Sequence, residues 1–238
     1  MDKLHLDQHI SQQFNLELED IRNKVLTMGG LVEEQVTNGL AALLEGDVEL
    51  AQSVVERDFE VNKLEVEIDE ECTQVLARRQ PAASDLRLIV AVIKVITDLE
   101  RIGDEAEKLG RFSVELAASG DTPAYRKELR HLGELVRSML RESLDAFARL
   151  DADAAIKIAA RDVEVDSEYD TLLRALTTHV MEDSSQVRKL LRITWCARAL
   201  ERIGDHSENI CEYVVYLVKG RDIRHTSFDQ IQREFAKN

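Results

Sequence analysis

Apolar residues recur along most of this chain at intervals of three and four, the spacing that lines one face of an α-helix. Between positions 48 and 79 the stripe is Leu50, Val54, Val61, Leu64, Ile68, Cys72 and Val75; between 84 and 118 it is Val92, Leu99, Ile102, Ala106 and Gly110. The breaks in this pattern carry turn and capping residues: Gly46-Asp47, Gln80-Pro81, Gly120-Asp121-Thr122-Pro123, Asp151-Ala152-Asp153 and Glu182-Asp183-Ser184-Ser185. Thr122-Pro123 reads as an N-cap followed by proline at the first helical position. Pattern and breaks together predict six long helices, about 8–45, 48–79, 84–118, 123–150, 152–182 and 185–220, ahead of a polar tail. Gly29-Gly30 allows a kink or break in the first of them.

The second half repeats the first. Leu-Glu-Arg-Ile-Gly-Asp occurs at Leu99–Asp104 and again at Leu200–Asp205, 101 residues apart. One helix earlier, Arg57-Asp58-Phe59-Glu60-Val61-Asn62 matches Arg161-Asp162-Val163-Glu164-Val165-Asp166, 104 residues apart, so three residues are lost at the intervening turn. The expected fold is all-α, two tandem, duplicated three-helix bundles built from six long antiparallel helices. The first spans 1–120 and the second 121–220, with a boundary at Asp121–Pro123 and a C-terminal tail over 221–238. Gly103 and Gly204 fall on the packing faces of their helices, where each costs about 1 kcal/mol against Ala unless close helix approach compensates.

Composition agrees. The 238 residues include only 10 Gly and 2 Pro, and 32% are charged, a profile of long helices with few interruptions. With 31 Lys and Arg against 46 Asp and Glu the net charge is −15, which argues against nucleic acid or an anionic membrane surface as the main partner. Leu88–Thr97 is the most apolar stretch, but it is interrupted by Lys94 and far shorter than the roughly 20 residues of a membrane helix. Met1-Asp2-Lys3-Leu4-His5 lacks the basic and apolar regions expected of a signal peptide, and Cys72, Cys196 and Cys211 lie among apolar neighbours without a C-x-x-C spacing. A cytoplasmic protein with no membrane insertion and three small buried thiols is expected.

The chemistry lies in the repeats. Glu100 and Asp104, and likewise Glu201 and Asp205, are four residues apart and share one helix face, next to Glu107 and Glu208. Asp58 with Asn62, and Asp162 with Asp166, take the same position beside the stripe of the preceding helix. Packing the stripes together would bring each pair of acidic edges into one groove. Converging carboxylates repel strongly unless some are protonated or a cation lies among them. An all-oxygen set suits Mg²⁺, Mn²⁺, Ca²⁺ or iron. A solvated acidic edge is the plainer alternative, with Arg101 and Arg202 neutralising the acids through salt bridges. His206 points about 100° from Asp205 on a helical projection and is expected to be an exposed neighbour.

These motifs resemble the PhoU family of bacterial phosphate-signalling proteins. The resemblance rests on the duplicated E-x-x-x-D, on Asp58–Asn62 and Asp162–Asp166, and on Gly220-Arg221-Asp222-Ile223-Arg224-His225, and it extends over essentially the whole chain. It implies a cytoplasmic pair of three-helix bundles, often a homodimer, that binds divalent metal or a multinuclear metal cluster (Mg, Mn, Fe or similar). Site one would be Asp58, Asn62, Glu100 and Asp104; site two Asp162, Asp166, Glu201 and Asp205. Asn62 departs from the acidic pattern and removes one charge from site one, which is therefore expected to bind metal more weakly. The resemblance further implies negative regulation of the phosphate regulon, with the phosphate ABC transporter's ATPase and a PhoR-type sensor histidine kinase as partners. An enzyme is the alternative, a metal-dependent hydrolase or oxidase on a carboxylate bundle. A di-iron bundle would need two Glu-x-x-His motifs, and the chain has one, Glu128–His131, without a repeat partner. No Gly-rich phosphate loop or Ser/His/Asp grouping accompanies it. The first helix carries Leu16, Val25, Leu26, Leu31 and Val32, mostly expected in the core with a share left for dimer contacts.

Overall fold

The computed structural model describes residues 12–118 and 125–223. Its helices are α1 (Gln12–Glu45), α2 (Val48–Arg79), α3 (Ala83–Ala118), α4 (Arg126–Arg149), α5 (Ala152–Ala159), α6 (Asp162–Glu182) and α7 (Val187–Lys219), with a 3-10 turn over Ser184–Gln186 before the last. The boundary Asp121–Pro123, its N-cap Thr122, and the tail beyond Ile223, including Arg224 and His225, lie outside the described residues. Helices α1–α3 pack as one bundle, and α4, α5–α6 and α7 as the other. The bundles meet through α3 on α7 and α1 on α4, so four helices form the centre while α2 and α6 flank it. The predicted stripes are the core: Val61, Ile68 and Cys72 of α2, and Val92, Leu99, Ile102 and Ala106 of α3, are fully buried. All three cysteines are buried free thiols.

The turns repeat as well as the helices. The Asp47 carboxylate accepts from Leu50 N–H at 3.0 Å to cap α2, and Asp151 caps α5 from the equivalent place through Ala154 N–H at 2.9 Å. Gly46 before the first cap has φ +72°, and Leu150 before the second adopts the same left-handed region at +53°.

Two sequence expectations change. The fifth helix is interrupted at Ala160-Arg161, where Arg161 N–H bonds Ile158 carbonyl at 3.0 Å in a tight 3-10-type link. Here the Arg161 guanidinium reaches Glu142 of α4 at 2.7 Å, a tertiary pull that no proline or glycine announces in the sequence. As a result Asp162 opens α6, whereas its counterpart Asp58 lies mid-helix. The first helix, by contrast, runs unbroken through Gly29-Gly30. Gly29 is instead a seat for a side chain of the other bundle: a Cβ there would lie 2.7 Å from Leu144 Cδ2. Gly133 of α4 receives Leu40 of α1 in the same way. Gly29 and Leu40 recur 104 residues later as Gly133 and Leu144, so duplication has produced a reciprocal pair of knobs and seats between α1 and α4.

Adding a methyl at either seat overpacks the contact by about 1–3 kcal/mol, which outweighs the roughly 1 kcal/mol that Ala gains over Gly in helix propensity. Gly133→Ala should therefore destabilise the chain yet stabilise one already carrying Leu40→Ala. Urea unfolding of the four chains of that double-mutant cycle measures the sign change; a stabilising Gly133→Ala in both backgrounds refutes the packing account.

Candidate functional site

Packing α2 on α3 and α6 on α7 brings together both sets of acidic residues expected from the sequence. In each bundle the floor of the groove is a glycine. A Cβ on Gly103 would lie 3.3 Å from Asp58 Oδ1 and 3.4 Å from Val61 Cγ1; on Gly204, 3.4 Å from Asp162 Oδ1 and 3.0 Å from Val165 Cγ1. The glycines of the repeated hexapeptide thus admit the first carboxylate of the facing helix, which accounts for a residue that helix propensity disfavours.

At site one, Asn62 Nδ2 donates to Asp58 Oδ2 at 2.9 Å. Asp58 Oδ1 and Asn62 Oδ1 are buried without a hydrogen-bond partner. Burial raises the Asp58 carboxyl, against the Asn62 hydrogen bond and with help from Asp104. Glu100 is raised by burial and then by Asp104, Glu65 and Asp58. Glu107 is raised chiefly by burial, although Arg111 at 3.3 Å opposes the shift.

Site two is more crowded. One carboxylate oxygen from each of Asp162, Asp166 and Asp205 can be chosen so that all three lie within 4.8 Å of one another. Ligands across an ion bound at about 2.0–2.6 Å are separated by that span. Among the described residues no other trio of His, Cys, Asp or Glu side chains approaches so closely. Glu201 joins from α7 with one oxygen held by Arg198 and the other, Oε2, buried and unpartnered, as is Asp162 Oδ1. Burial, reinforced by neighbouring carboxylates, pushes Asp162 up to about 6, Glu201 to about 7 and Glu208 to about 8. Asp205 is raised for the same first reason.

Desolvated acceptor oxygens without donors are what an oxygen-preferring cation requires; the carboxylates of site two fit such an ion, and Asp58 Oδ1 and Asn62 Oδ1 offer the same kind of acceptor at site one. The Arg neutralisation considered from sequence takes another form. Arg202 pairs with Glu105 of α3 at 2.7 Å and Arg101 is exposed, while Arg198 meets Glu201 and Arg111 meets Glu107. His206 also departs from expectation. It does point away from Asp205, but into the seam with α3, where it is 7% exposed and its Nδ1 lies 2.7 Å from Asp98 Oδ1; Asn209 Nδ2 donates to the same oxygen at 3.1 Å. A helical projection cannot show that a second bundle covers that face. Glu128 and His131 are exposed on α4, with His131 3.7 Å from Glu168. Sequence reading passed over Gln35 of α1, whose Oε1 is buried beside Gly103. Its signal was a polar residue inside the apolar run Val25, Met28, Val32, Val36.

The fold and the paired grooves define a class: all-helical tandem bundles that hold facing carboxylates over a glycine floor. The PhoU domain family model matches residues 25–112 and 129–214, one copy in each bundle. The chain belongs to the PhoU family. It is 52% identical over 238 residues to the "phosphate-specific transport system accessory protein PhoU homolog" of Pseudomonas aeruginosa, covering all of this chain and 98% of that protein. The "phosphate-specific transport system accessory protein PhoU" of Escherichia coli K12 is 47% identical over 236 residues, 99% of this chain and 98% of the relative. The crystal structure of PhoU from Pseudomonas aeruginosa superposes with a TM-score of 0.86 at 53% identity, covering 87% of this chain and all of that one. That of the phosphate transport system regulatory protein PhoU from Streptococcus pneumoniae gives 0.81 at 31% identity, covering 88% and 98%. Among the described residues, no helix is long and apolar enough to cross a membrane.

The raised carboxyls give a signed pH dependence. Their folded values exceed their unfolded ones, so the folded state holds protons that the unfolded state releases, and stability falls as pH rises. Metal-free protein is expected to lose stability between the ordinary carboxyl range near 4 and about 8. Glu208→Gln, neutral throughout, should flatten that slope. Urea midpoints of both chains in chelator at about pH 5 and about pH 8 make the comparison; parallel slopes would rule out the buried carboxyls as its source.

Proposed function

We propose that this chain is a cytoplasmic, non-enzymatic regulator of phosphate uptake that acts as an accessory to a phosphate ABC transporter. Near-complete alignment with relatives named for that role carries the reading: they match over 98% of their own length at about half identity. In the finer version, the chain contacts the transporter's ATPase and a PhoR-type sensor histidine kinase, represses the phosphate regulon, and works as a homodimer. The surface charge of −15 favours basic patches on such partners, with an attraction that weakens as salt rises. Leu16, 59% exposed on α1, is an apolar residue left for a contact outside the bundle.

Within this reading the carboxylate pairs bind metal. Asp58, Asn62, Glu100 and Asp104 would hold one centre, and Asp162, Asp166, Glu201 and Asp205 the other. A bound cation supplies positive charge that the buried oxygens lack. The residues do the rest: Asp58 and Asp162 reach over Gly103 and Gly204, Asn62 orients Asp58, and Arg198 holds Glu201. Loading would tie α2 to α3 and α6 to α7 through ligands on both helices.

Three outcomes are expected. Mn²⁺ calorimetry should rank site two above site one, so Asp162→Ala removes the tighter binding event and Asp58→Ala the weaker; the reverse order would overturn the ranking. Chelator should lower the melting temperature of metal-loaded protein, and identical melts would favour a plain structural bundle. Full-length protein should retain the transporter ATPase or the kinase's sensory domain in a pull-down while showing no turnover with Mn²⁺ or Fe²⁺. Metal-dependent phosphate-ester hydrolysis lost in Glu201→Ala would make the chain an enzyme instead.

A further inference from the structure

Gln35 occupies a core position of α1 and is 5% exposed, yet its Oε1 is buried without a hydrogen-bond partner. A Cβ on Gly103 would lie 3.4 Å from that oxygen and 3.3 Å from Asp58 Oδ1, so both oxygens stand over one point of the site-one floor. Asn62, whose Nδ2 donates to Asp58 Oδ2 at 2.9 Å, keeps its own Oδ1 buried and unpartnered. Two acceptor oxygens, one from α1 and one from α2, therefore meet over Gly103 without a hydrogen-bond donor to either. An unpaired buried acceptor has lost its water without gaining a donor, and packing does not require one here. The equivalent residue 104 positions later is Met139, fully buried and close to Gln in volume.

We propose that Gln35 is a fifth oxygen donor of site one, a ligand from a third helix that makes this site a mixed amide–carboxylate centre for an oxygen-preferring divalent cation. The inference rests on reading the paired carboxylates as metal sites. Asp58, Glu100 and Asp104 bring three negative charges, while Asn62 and Gln35 bring neutral amide oxygens, a donor type that Ca²⁺, Mg²⁺ and Mn²⁺ accept. Site two has four carboxylates and, in place of Gln35, a thioether. The copies thus differ in donor set, not merely in charge.

Mn²⁺ titration calorimetry on the full chain, in two backgrounds, tests this. With site two disabled by Asp162→Ala, Gln35→Met should weaken the remaining binding by about tenfold or more, the scale at which even outer partners of a metal act. Gln35→Glu, which keeps the oxygen and adds a charge, should tighten it. With site one disabled by Asp58→Ala, Gln35→Met should leave Mn²⁺ binding unchanged. Unaltered affinity for both position-35 variants in the Asp162→Ala chain overturns the proposal and leaves the metal reading standing. Weakening by Gln35→Glu as well as Gln35→Met also overturns it, because the amide would then be a donor orienting Asp58. If the Met variant does not fold, the sign of the Gln35→Glu effect decides alone. Absence of Mn²⁺ binding in the Asp162→Ala chain with Gln35 intact removes the site-one reading itself, and the proposal with it.

Discussion

Carboxylates taken out of water without a counter-charge are the constraint around which both bundles are arranged. Bringing α2 against α3, and α6 against α7, buries the apolar stripes and desolvates the acids along their borders. Arginine relieves little of this. Arg198 meets Glu201, while Arg202 is committed to Glu105 across the seam. What remains unbalanced is visible as raised carboxyls and as orphaned oxygens on Asp58, Asn62, Asp162 and Glu201. Folding supplies the energy that holds these groups together, through side chains such as Leu99, Ile102, Leu200 and Ile203 that immediately flank the acids and are fully buried.

Duplication explains why there are two such places, and the seam explains why they sit in one body. Gly29 with Leu144, and Gly133 with Leu40, are one contact made twice by a pseudo-twofold arrangement. Opposite them, α3 and α7 meet through Asp98 with His206 and Asn209, and through Glu105 with Arg202. Glu105 and His206 hold equivalent positions in the two repeats yet play opposite electrostatic parts, an acid facing Arg202 in one and an imidazole facing Asp98 in the other. A symmetric seam would repeat the Glu105–Arg202 ion pair between position 206 and Arg101, where this chain has His206. The two copies diverged where they touch.

Period and punctuation made the helices legible. The edges of α2 at 48 and 79 follow directly from Gly46-Asp47 and Gln80-Pro81, because capping chemistry is local. The acidic pairs were legible for the same reason, since residues four apart share a face whatever the tertiary structure. What sequence did not reveal depends on contacts between distant segments. The break at Ala160-Arg161 follows a guanidinium drawn to α4, and the burial of His206 follows the other bundle. Gly29-Gly30, read as weak points in a helix, made sense only once Leu144 was seen above one of them. Gln35 was hidden differently: a single polar residue in an apolar run reads as noise until the oxygen's surroundings are known.

The division between inner and outer helices bears on how such a scaffold would report a bound ion. An ion changes a protein's conformational balance only as far as it binds one arrangement better than another. The four central helices are tied by the reciprocal leucine seats and the polar seam, and neither includes a site carboxylate. Outer helices α2 and α6 carry half of each acidic set. Repulsion across each groove therefore acts between an outer helix and a fixed inner one, and neutralising it would change the hold on α2 or α6 while sparing the seam. Phe59 and Val163, 65% and 72% exposed, immediately follow Asp58 and Asp162 on those outer helices. Any change in the charge or mobility of the groove is thus presented beside an exposed apolar residue at equivalent places in both repeats.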